Sequence, residues 1–494
     1  MTVWSVVHLF VFFLAFASTA EASKWKEEWF DGMPVDHFDF DIEKTFSLRY
    51  LINLDHYEEG GPIFFYCGNE GSIEFYANIT GAIFEWAPEF KAAVVYAEHR
   101  FYGKTLPFGD DSYKTYENLS YLSSDQALAD YAELIDWLRN ERIPDAHNSP
   151  LIAFGGSYGG LLSAWFRVKY PNIVDGSIAS SAPIFFFRNT SYYQSSTLRV
   201  TTRASIASGC DFTTVHNSWA ALKELAKTES GRVSLNNIFK LSNKTRMNQP
   251  EDVYALIGFA QSSFLELAMH NYPYETNLLH PQPAWPVKVV CKSFKEPKNS
   301  NEEYAKAVYD IVNLYKNYTG QEKEFCINPV VCPPVDPDHQ MKGWTWQTCT
   351  EVIIPVCGTG PPNDFFERSC PYTLDNAALY CEAMFGSIGY TRKLMKPQQI
   401  ATEYGFLSTA SNIVFSDGYL DPVIDMGWSN KSSKDGSVVS LIIKDGSHMY
   451  DLQSAHPNDT ESVKEVREQE KKHIAQWIRE ANERRNQETD MKNP

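Results

Sequence analysis

Short apolar runs alternate with segments of helical period in the first third of the chain. Residues 48–51, 62–66, 92–97, 151–154 and 177–179 are rich in apolar and β-branched side chains, which is typical of buried strands. Between them, residues 123–139 place apolar side chains on one side of a helix, with Ser124 as a candidate cap. Because strands that alternate with helices form right-handed crossover units, this rhythm predicts a mostly parallel sheet of the α/β class.

The rhythm changes between residues 187 and 396. This segment has helical periods at 220–225 and 304–315, proline-rich loops at 281–283 and 333–334, and most of the cysteines. The strand pattern returns at 412–415 and 438–443, and a charged amphipathic helix is predicted over 463–485. We therefore predict one α/β core, residues 23–186 and 397–494, which a mostly helical cap insertion, residues 187–396, interrupts.

The chain begins with an apolar run at residues 6–17, which is followed by small residues and Lys24. This pattern is typical of a signal peptide over residues 1–22, and the run is shorter than the about 20 residues that a membrane span needs. No later stretch is long and apolar enough to span a bilayer, so no membrane partner is expected. The prediction is a secreted or lysosomal protein.

Composition and charge narrow the classes of partner. Hydrophobic residues make up 43% of the chain and aromatic residues 14%, which indicates a globular protein with enough rings to line pockets. The formal net charge of -18 argues against nucleic acid, because phosphate binding needs a basic surface. Whether the protein forms a homodimer is left open by the sequence.

Eight of the nine cysteines lie between residues 210 and 381. In an oxidising compartment this predicts up to four disulfides in the insertion, and it leaves Cys67 as an unpaired, buried thiol. The cysteines form no tight Cys-x-x-Cys pair and no His-Glu-x-x-His segment occurs, so neither a metal nor a cofactor is expected. Seven Asn-x-Ser/Thr acceptors predict a glycosylated surface: Asn78, Asn118, Asn189, Asn243, Asn317, Asn430 and Asn458.

A Gly-x-Ser-x-Gly pattern surrounds Ser157 and lies between a predicted strand, 151–154, and a predicted helix that ends at Pro171. This strand, turn and helix order is the context in which such a serine projects above a sheet as a nucleophile. A serine hydroxyl needs a histidine base, and that histidine is usually oriented by an acid. In this arrangement the acid and the histidine follow the serine along the chain, on loops after later strands.

The base candidate is His448, which follows the predicted strand 438–443. Its rivals, His456 and His473, lie further from any strand end and are expected on the surface. Three acids follow the predicted strand 412–415: Asp417, Asp421 and Asp425. Spacing alone leaves the choice between Asp417 and Asp421 open, although Asp417 with its following glycine is more typical of a turn.

An oxyanion hole requires two backbone N–H groups aimed at the developing negative charge. One is expected from Tyr158, directly after the nucleophile. The other is expected from the loop 68–71 after the strand that ends near Cys67, with Asn69 and Glu70 as the candidates.

Six segments resemble the serine exopeptidase family that includes lysosomal Pro-Xaa carboxypeptidase and dipeptidyl peptidase II. They are Phe-Tyr-Cys-Gly-Asn-Glu-Gly at 65–71, Glu-His-Arg-Phe-Tyr-Gly at 98–103, Leu-Pro-Phe-Gly at 106–109, Asp-Gln-Ala-Leu-Ala-Asp-Tyr at 125–131, the turn at 155–160 and Gln-Thr-Cys-Thr-Glu at 347–351. The resemblance covers nearly the whole mature chain. It implies an α/β-hydrolase core with a helical cap, a peptide substrate, and a triad of Ser157, Asp421 and His448, which settles the choice of acid.

Two positions depart from the family pattern. Relatives commonly carry Trp after Leu-Asp-Pro and a second His after the catalytic one, where this chain has Val423 and Met449. Hydrolysis is therefore a safer expectation than preference for proline. Overall similarity favours a carboxypeptidase; the alternatives are a dipeptidyl peptidase, an esterase on the same scaffold, and a non-catalytic secreted glycoprotein.

Overall fold

The fold is described from a computed structural model, which covers residues 24–39, 41–187, 191–328, 331–332, 336, 339–353, 356–369, 373–405, 410–428 and 432–492. The predicted signal peptide, the acceptors Asn189 and Asn430, and Cys370 lie outside these ranges. None of the helices within them combines the length and the apolar character needed to cross a bilayer.

Ten strands form one large sheet and one short ribbon. They are β1 (Lys26–Pro34), β2 (Thr45–Asn53), β3 (Ile63–Cys67), β4 (Ala93–Ala97), β5 (Leu151–Gly156), β6 (Gly176–Ser180), β7 (Thr276–Asn277), β8 (Pro281–Gln282), β9 (Ile413–Gly418) and β10 (Val438–Ile443). The large sheet has the order β1-β2-β4-β3-β5-β6-β9-β10, and β7 pairs with β8. Strand β2 is antiparallel to both of its neighbours, whereas β3 to β6, β9 and β10 are parallel.

The parallel strands explain why residues distant in sequence meet. The carboxyl ends of parallel strands lie at one edge of the sheet, so the loops that follow β5, β9 and β10 emerge side by side. These are the loops that contain Ser157, Asp421 and His448. The predicted α/β-hydrolase core is confirmed, and all seven predicted strands are present in it.

Strand β1 was not predicted. Its sequence, Lys-Glu-Glu-Trp-Phe-Asp-Gly-Met-Pro, is mostly exposed, with Met33 as its fully buried residue. It pairs with β2 at the edge of the sheet, and the register shifts between Phe30 and Met33. An exposed edge strand has no apolar face along most of its length, so the hydrophobic pattern gives no signal for it.

Helices cover both faces of the sheet and build the insertion. They are α1 (Ile73–Ile79), α2 (Ala82–Phe90), α3 (Tyr116–Leu119), α4 (Ser124–Trp137), α5 (Tyr158–Lys169), α6 (Ser191–Gln194), α7 (Ser196–Ala207), α8 (Phe212–Ala226), α9 (Glu229–Ile238), α10 (Val253–Met269), α11 (Pro286–Val290), α12 (Asn301–Asn317), α13 (Gln340–Thr350), α14 (Leu374–Phe385), α15 (Gln399–Tyr404) and α16 (Glu461–Lys492). Helices α4 and α5 share one core with the sheet, and α1, α2 and α16 share a second.

The segment between β6 and β9 is mostly helical, as predicted, and its helices α7, α8, α10 and α12 pack around a hydrophobic core of their own. Disulfides join Cys210 to Cys291, Cys326 to Cys332, and Cys349 to Cys381, and Cys357 is also disulfide-bonded. The buried Cys67 carries a free thiol, as predicted. The residue limits given for the core and the cap stay a prediction.

Candidate active site

Ser157 lies on a sharp turn between β5 and α5. Its φ of 57° and ψ of -122° are unusual for a residue with a side chain, which marks a turn held in place by its surroundings. The flanking glycines are required: a Cβ on Gly155 would lie 1.9 Å from the oxygen of Gly159, and one on Gly159 would lie 2.2 Å from Asn69 Oδ1. The Ser157 N–H donates to the oxygen of Ser180 at 2.9 Å, so β6 fixes the turn.

Asp421 is the acid that contacts His448. His448 Nδ1 lies 2.9 Å from Asp421 Oδ2, and the Asp421 side chain is fully buried. Because a carboxylate accepts the Nδ1 hydrogen, Nε2 is left as the acceptor of the imidazole ring. Burial lowers the pKa of His448, but the Asp421 carboxylate outweighs it and the pKa is raised above its usual value.

The two other acids take different places. Asp417 is buried, and neither of its carboxyl oxygens has a hydrogen-bond partner within the described ranges. Burial raises its pKa well above the usual value, and the nearby Asp421 adds to the shift. Asp425 forms an ion pair with Arg199 Nη2 at 2.7 Å. Of the three acids among which spacing did not decide, Asp421 is therefore the one in contact with His448.

The insertion holds the main chain of His448. The His448 N–H donates to the oxygen of Met269 at 3.2 Å, and the Tyr272 hydroxyl donates to the oxygen of His448. Met269 ends helix α10, and Tyr272 lies three residues further along the chain. The base candidate thus comes from a core loop, and the insertion fixes its backbone.

Ser157 and His448 line one cavity of about 360 Å³ between the core and the insertion. Its walls are largely aromatic and aliphatic, and they include Phe75, Tyr76, Phe186, Trp344, Val423 and Met449. In the described part of the chain no hydrogen bond joins Ser157 Oγ to His448, and catalytic hydrogen bonds of this kind often close only when substrate binds. No group of three or more His, Cys, Asp and Glu in that part is placed to hold a metal ion.

The loop 68–71 is tied to the nucleophile turn through Asn69. The Tyr66 hydroxyl donates to Asn69 Oδ1 at 2.8 Å, and Asn69 Nδ2 donates to the oxygen of Gly156 at 2.6 Å. Asn69, Glu70 and Tyr158 all line the cavity. Their assignment as oxyanion donors stays a prediction.

A buried hydrogen-bond network holds the side chain of Tyr158. Gln347 Nε2 donates to the Tyr158 hydroxyl oxygen at 2.8 Å and to Glu351 Oε1 at 2.9 Å. His99 Nδ1 lies 2.7 Å from the oxygen of Arg100, so Nδ1 carries the hydrogen and Nε2 accepts from the Tyr158 hydroxyl at 3.1 Å. The network links the insertion helix α13 to the residue after the nucleophile.

Glu351 closes this network against the core. Its carboxyl group is 2.9 Å from the N–H of Ser124 and 3.0 Å from its hydroxyl. Burial raises the pKa of Glu351 to about 8, and the hydrogen bonds oppose that shift. The N-cap position of helix α4 is Ser123 rather than the predicted Ser124; the Ser123 side chain makes no capping hydrogen bond, and Ser124 binds Glu351. The motif at 347–351 pointed to the family, but its role required the structure.

The glycan acceptors differ in accessibility. Asn78, Asn243 and Asn458 are exposed, and Asn118 is partly exposed. Asn317 is only 8% exposed, its Nδ2 donates to Asn313 Oδ1 and to the oxygen of Glu322, and its Oδ1 accepts from the Glu322 N–H. A glycan on Asn317 requires these hydrogen bonds to break, so the exposed acceptors are better placed to carry glycans.

Known proteins match this chain over most of its length. The profile of the family Serine carboxypeptidase S28 matches residues 33–470. The relative named Prolyl carboxy peptidase like protein 5, from Caenorhabditis elegans, is 48% identical over 94% of this chain and 93% of its own. Lysosomal Pro-X carboxypeptidase is 40% identical in Bos taurus, over 90% of this chain and 86% of that one. The Homo sapiens protein of the same name is 39% identical, over 90% and 87% respectively. The chain therefore belongs to the serine carboxypeptidase S28 family, and the predicted serine-type exopeptidase is confirmed.

Proposed function

We propose that the protein hydrolyses a peptide bond that follows proline near the C-terminus of a peptide. Ser157 is the nucleophile, His448 the general base, and Asp421 the acid that orients it. The observation that carries the proposal is the 2.9 Å contact between His448 Nδ1 and Asp421 Oδ2 in a cavity that the nucleophile turn also lines. The position of these three residues on loops at the carboxyl edge of the sheet supports the proposal.

The reaction proceeds through an acyl-enzyme. His448 Nε2 takes the proton of the Ser157 hydroxyl while Oγ bonds to the scissile carbonyl carbon. The backbone N–H groups of Tyr158 and of Asn69 or Glu70 stabilise the resulting oxyanion. The carbon–nitrogen bond then breaks, and His448 gives its proton to the leaving amine. Water, activated by the same imidazole, hydrolyses the ester and restores Ser157.

The cavity walls support proline before the cleaved bond. A prolyl residue is compact, apolar and without an N–H, so it needs shape and apolar contact rather than a hydrogen-bond acceptor. Phe75, Tyr76, Trp344 and Val423 supply such walls around Ser157. The relatives named as Pro-X carboxypeptidases support the same preference.

Labelling with a fluorophosphonate tests the nucleophile. The wild-type protein is expected to label at Ser157, and Ser157→Ala is expected to lose both the label and about 10⁴- to 10⁶-fold in turnover. The exposed Ser230→Ala is the matched control, because Ser230 belongs to no Asn-x-Ser/Thr acceptor, and it should label normally. Equal labelling of Ser157→Ala and wild type would remove the proposed nucleophile.

Product analysis tests the bond that is cut. Peptides with proline before the last residue, blocked at the N-terminus, should lose that residue. Peptides blocked at the C-terminus, with a free amino group and proline in second place, should stay intact. Release of a dipeptide from the second set would favour a dipeptidyl peptidase, and cleavage of simple esters alone would favour an esterase.

We further propose that the protein travels the secretory route, to lysosomes or out of the cell, as a glycoprotein. The relatives named as lysosomal and the exposed acceptors Asn78, Asn243 and Asn458 support this. Enzymatic removal of N-glycans should lower the mass of the purified protein. Asn→Gln changes at the three exposed positions should each remove part of that difference, and an unchanged mass in all three would contradict the assignment.

A further inference from the structure

The active-site cavity has no cationic anchor for a substrate. Its lining includes the ionisable side chains Glu70, Glu266, His270 and His448, together with tyrosines, and no Lys or Arg among the residues that the structure describes. A peptide's C-terminal carboxylate is usually paired with a cation or held by hydrogen-bond donors. Since none of the described lining residues supplies a guanidinium or an ammonium group, a carboxylate held by these residues depends on hydrogen-bond donors.

Two polar atoms of the lining are buried and lack a hydrogen-bond partner within the described ranges: Glu70 Oε2 and Gln453 Nε2. Gln453 is only 7% exposed. A buried polar atom without a partner destabilises the protein, and a ligand that completes the hydrogen bond removes that penalty. The amide Nε2 is a donor only, so the ligand atom that completes it must be an acceptor. A protonated amine has no lone pair to offer, whereas a carboxylate has several.

The surroundings of Glu70 favour its neutral form. The phenols of Tyr66, Tyr76, Tyr102 and Tyr158 act against its charged form, whereas its own backbone N–H, the His448 imidazole and the Asn69 amide favour that form. Burial raises the pKa of the Glu70 carboxyl, and its own backbone N–H, the His448 imidazole and the Asn69 amide oppose this shift only in part. Glu70 therefore keeps its hydrogen to a higher pH than an exposed glutamate does, and in that form it can donate it.

The other acidic group of the lining is placed differently. Glu266 has the Lys316 ammonium and the Tyr315 phenol near it, and it lies 3.8 Å from His270 Nδ1. Burial raises the pKa of Glu266 and lowers that of His270 to about 4. Glu266 and His270 therefore have ionisable neighbours of their own. Glu70 Oε2 and Gln453 Nε2 are the lining atoms without a hydrogen-bond partner in the described part of the chain.

We propose that Gln453 and Glu70 form the subsite for the C-terminal carboxylate of the substrate, Gln453 donating an N–H and Glu70 donating the O–H of its acid form. This deepens the proposed carboxypeptidase function and rests on it. When Glu70 loses its proton, it repels the carboxylate instead of donating to it. Recognition of the substrate's end is therefore confined to acidic solution.

The test compares two N-blocked peptides that end in Pro-Phe and differ only in a terminal carboxylate or carboxamide. Wild type at about pH 5 should prefer the acid over the amide by about tenfold or more in kcat/KM, and the preference should fall toward neutral pH. A preference that does not change with pH would overturn the inference without any variant being made.

Three variants sharpen the test. Gln453→Met should lower the acid-to-amide ratio by about tenfold, mainly through KM of the acid. Glu70→Gln should keep the preference toward neutral pH, because an amide donor does not titrate. Gln340→Met changes another glutamine of the lining and should leave the ratio as in wild type.

The possible failures are distinguishable. If Gln453→Met leaves the ratio unchanged, or if Gln340→Met lowers it equally, the subsite is wrong while amide cleavage and Ser157 labelling still support the proposed function. The same holds if Glu70→Gln follows the wild-type pH profile. If wild type does not label at Ser157 or cleaves neither peptide, the proposed function itself fails.

Discussion

The sheet core and the helical insertion contribute different things to one site. The core carries the proposed reactive groups, because Ser157, Asp421 and His448 stand on loops at the carboxyl ends of its strands. The insertion supplies none of them, yet Tyr272 binds the main chain of His448 and Gln347 binds the Tyr158 hydroxyl. The difference indicates that reactivity belongs to the core and alignment to the insertion. Removing a core group should therefore cost far more than removing an insertion contact.

The largest effect is expected from Asp421→Asn. The amide cannot stabilise the imidazolium and favours the wrong tautomer of His448, so kcat should fall by about 10⁴-fold with little change in KM. The matched control is Asp425→Asn, which removes an acid on the same loop that pairs with Arg199 and should cost less than about tenfold. Steady-state kinetics on an N-blocked Pro-Phe peptide measures both. Equal losses in the two variants would contradict the assigned acid.

The next effect concerns stability. Folded Glu351 keeps its proton up to about pH 8, whereas the unfolded chain loses it near the usual 4.5, so rising pH in this window favours unfolding. Glu351→Gln should remove this decline, and the difference in free energy of unfolding between variant and wild type should change by about 4–5 kcal/mol at most between these limits. Urea unfolding at several pH values measures it. Parallel curves for the two proteins would contradict the raised pKa.

The smallest effect is expected from Gln347→Met. This change keeps a similar volume but removes three side-chain hydrogen bonds: those that Gln347 Nε2 donates to Tyr158 and Glu351, and the one that Oε1 accepts from the Tyr102 hydroxyl. The Tyr158 N–H should then be less well aligned, so kcat should fall by about tenfold with KM nearly constant. Gln476→Met on the exposed side of α16 is the control and should leave kcat unchanged. A loss of kcat in Gln347→Met as large as that in Asp421→Asn would contradict the distinction between a reactive core and an aligning insertion.

The sequence predicted what depends on local pattern. Seven core strands, the nucleophile turn and the base candidate follow from hydrophobic runs and from what comes directly after them. The choice between Asp417 and Asp421 did not, because both follow the predicted strand 412–415; in the structure Asp417 lies within β9, and Asp421 lies beyond it and contacts His448. The resemblance to the family supplied that choice, and the contact geometry agrees with it.

The rest of the site depends on contacts that no local pattern encodes. Gln347 and Tyr158 are 189 positions apart, and Tyr272 and His448 are 176 apart. The proposed role of Gln453 and Glu70 was not predicted either, because a buried polar atom without a partner can be recognised only when its surroundings are known. Strand β1 escaped notice for the opposite reason, since most of its side chains face solvent.

The main chain of His448 accepts a hydrogen bond from Tyr272 and donates one to Met269, and this has a consequence for protein engineering. A cap taken from another family member would bring its own segment at residues 269–272. That segment would hold the backbone of His448, and hence its imidazole, in a different position. Grafting a cap to change substrate specificity would thus also change the rate of the proposed proton transfer by His448. Specificity and rate therefore change together in this scaffold unless the segment 269–272 is kept.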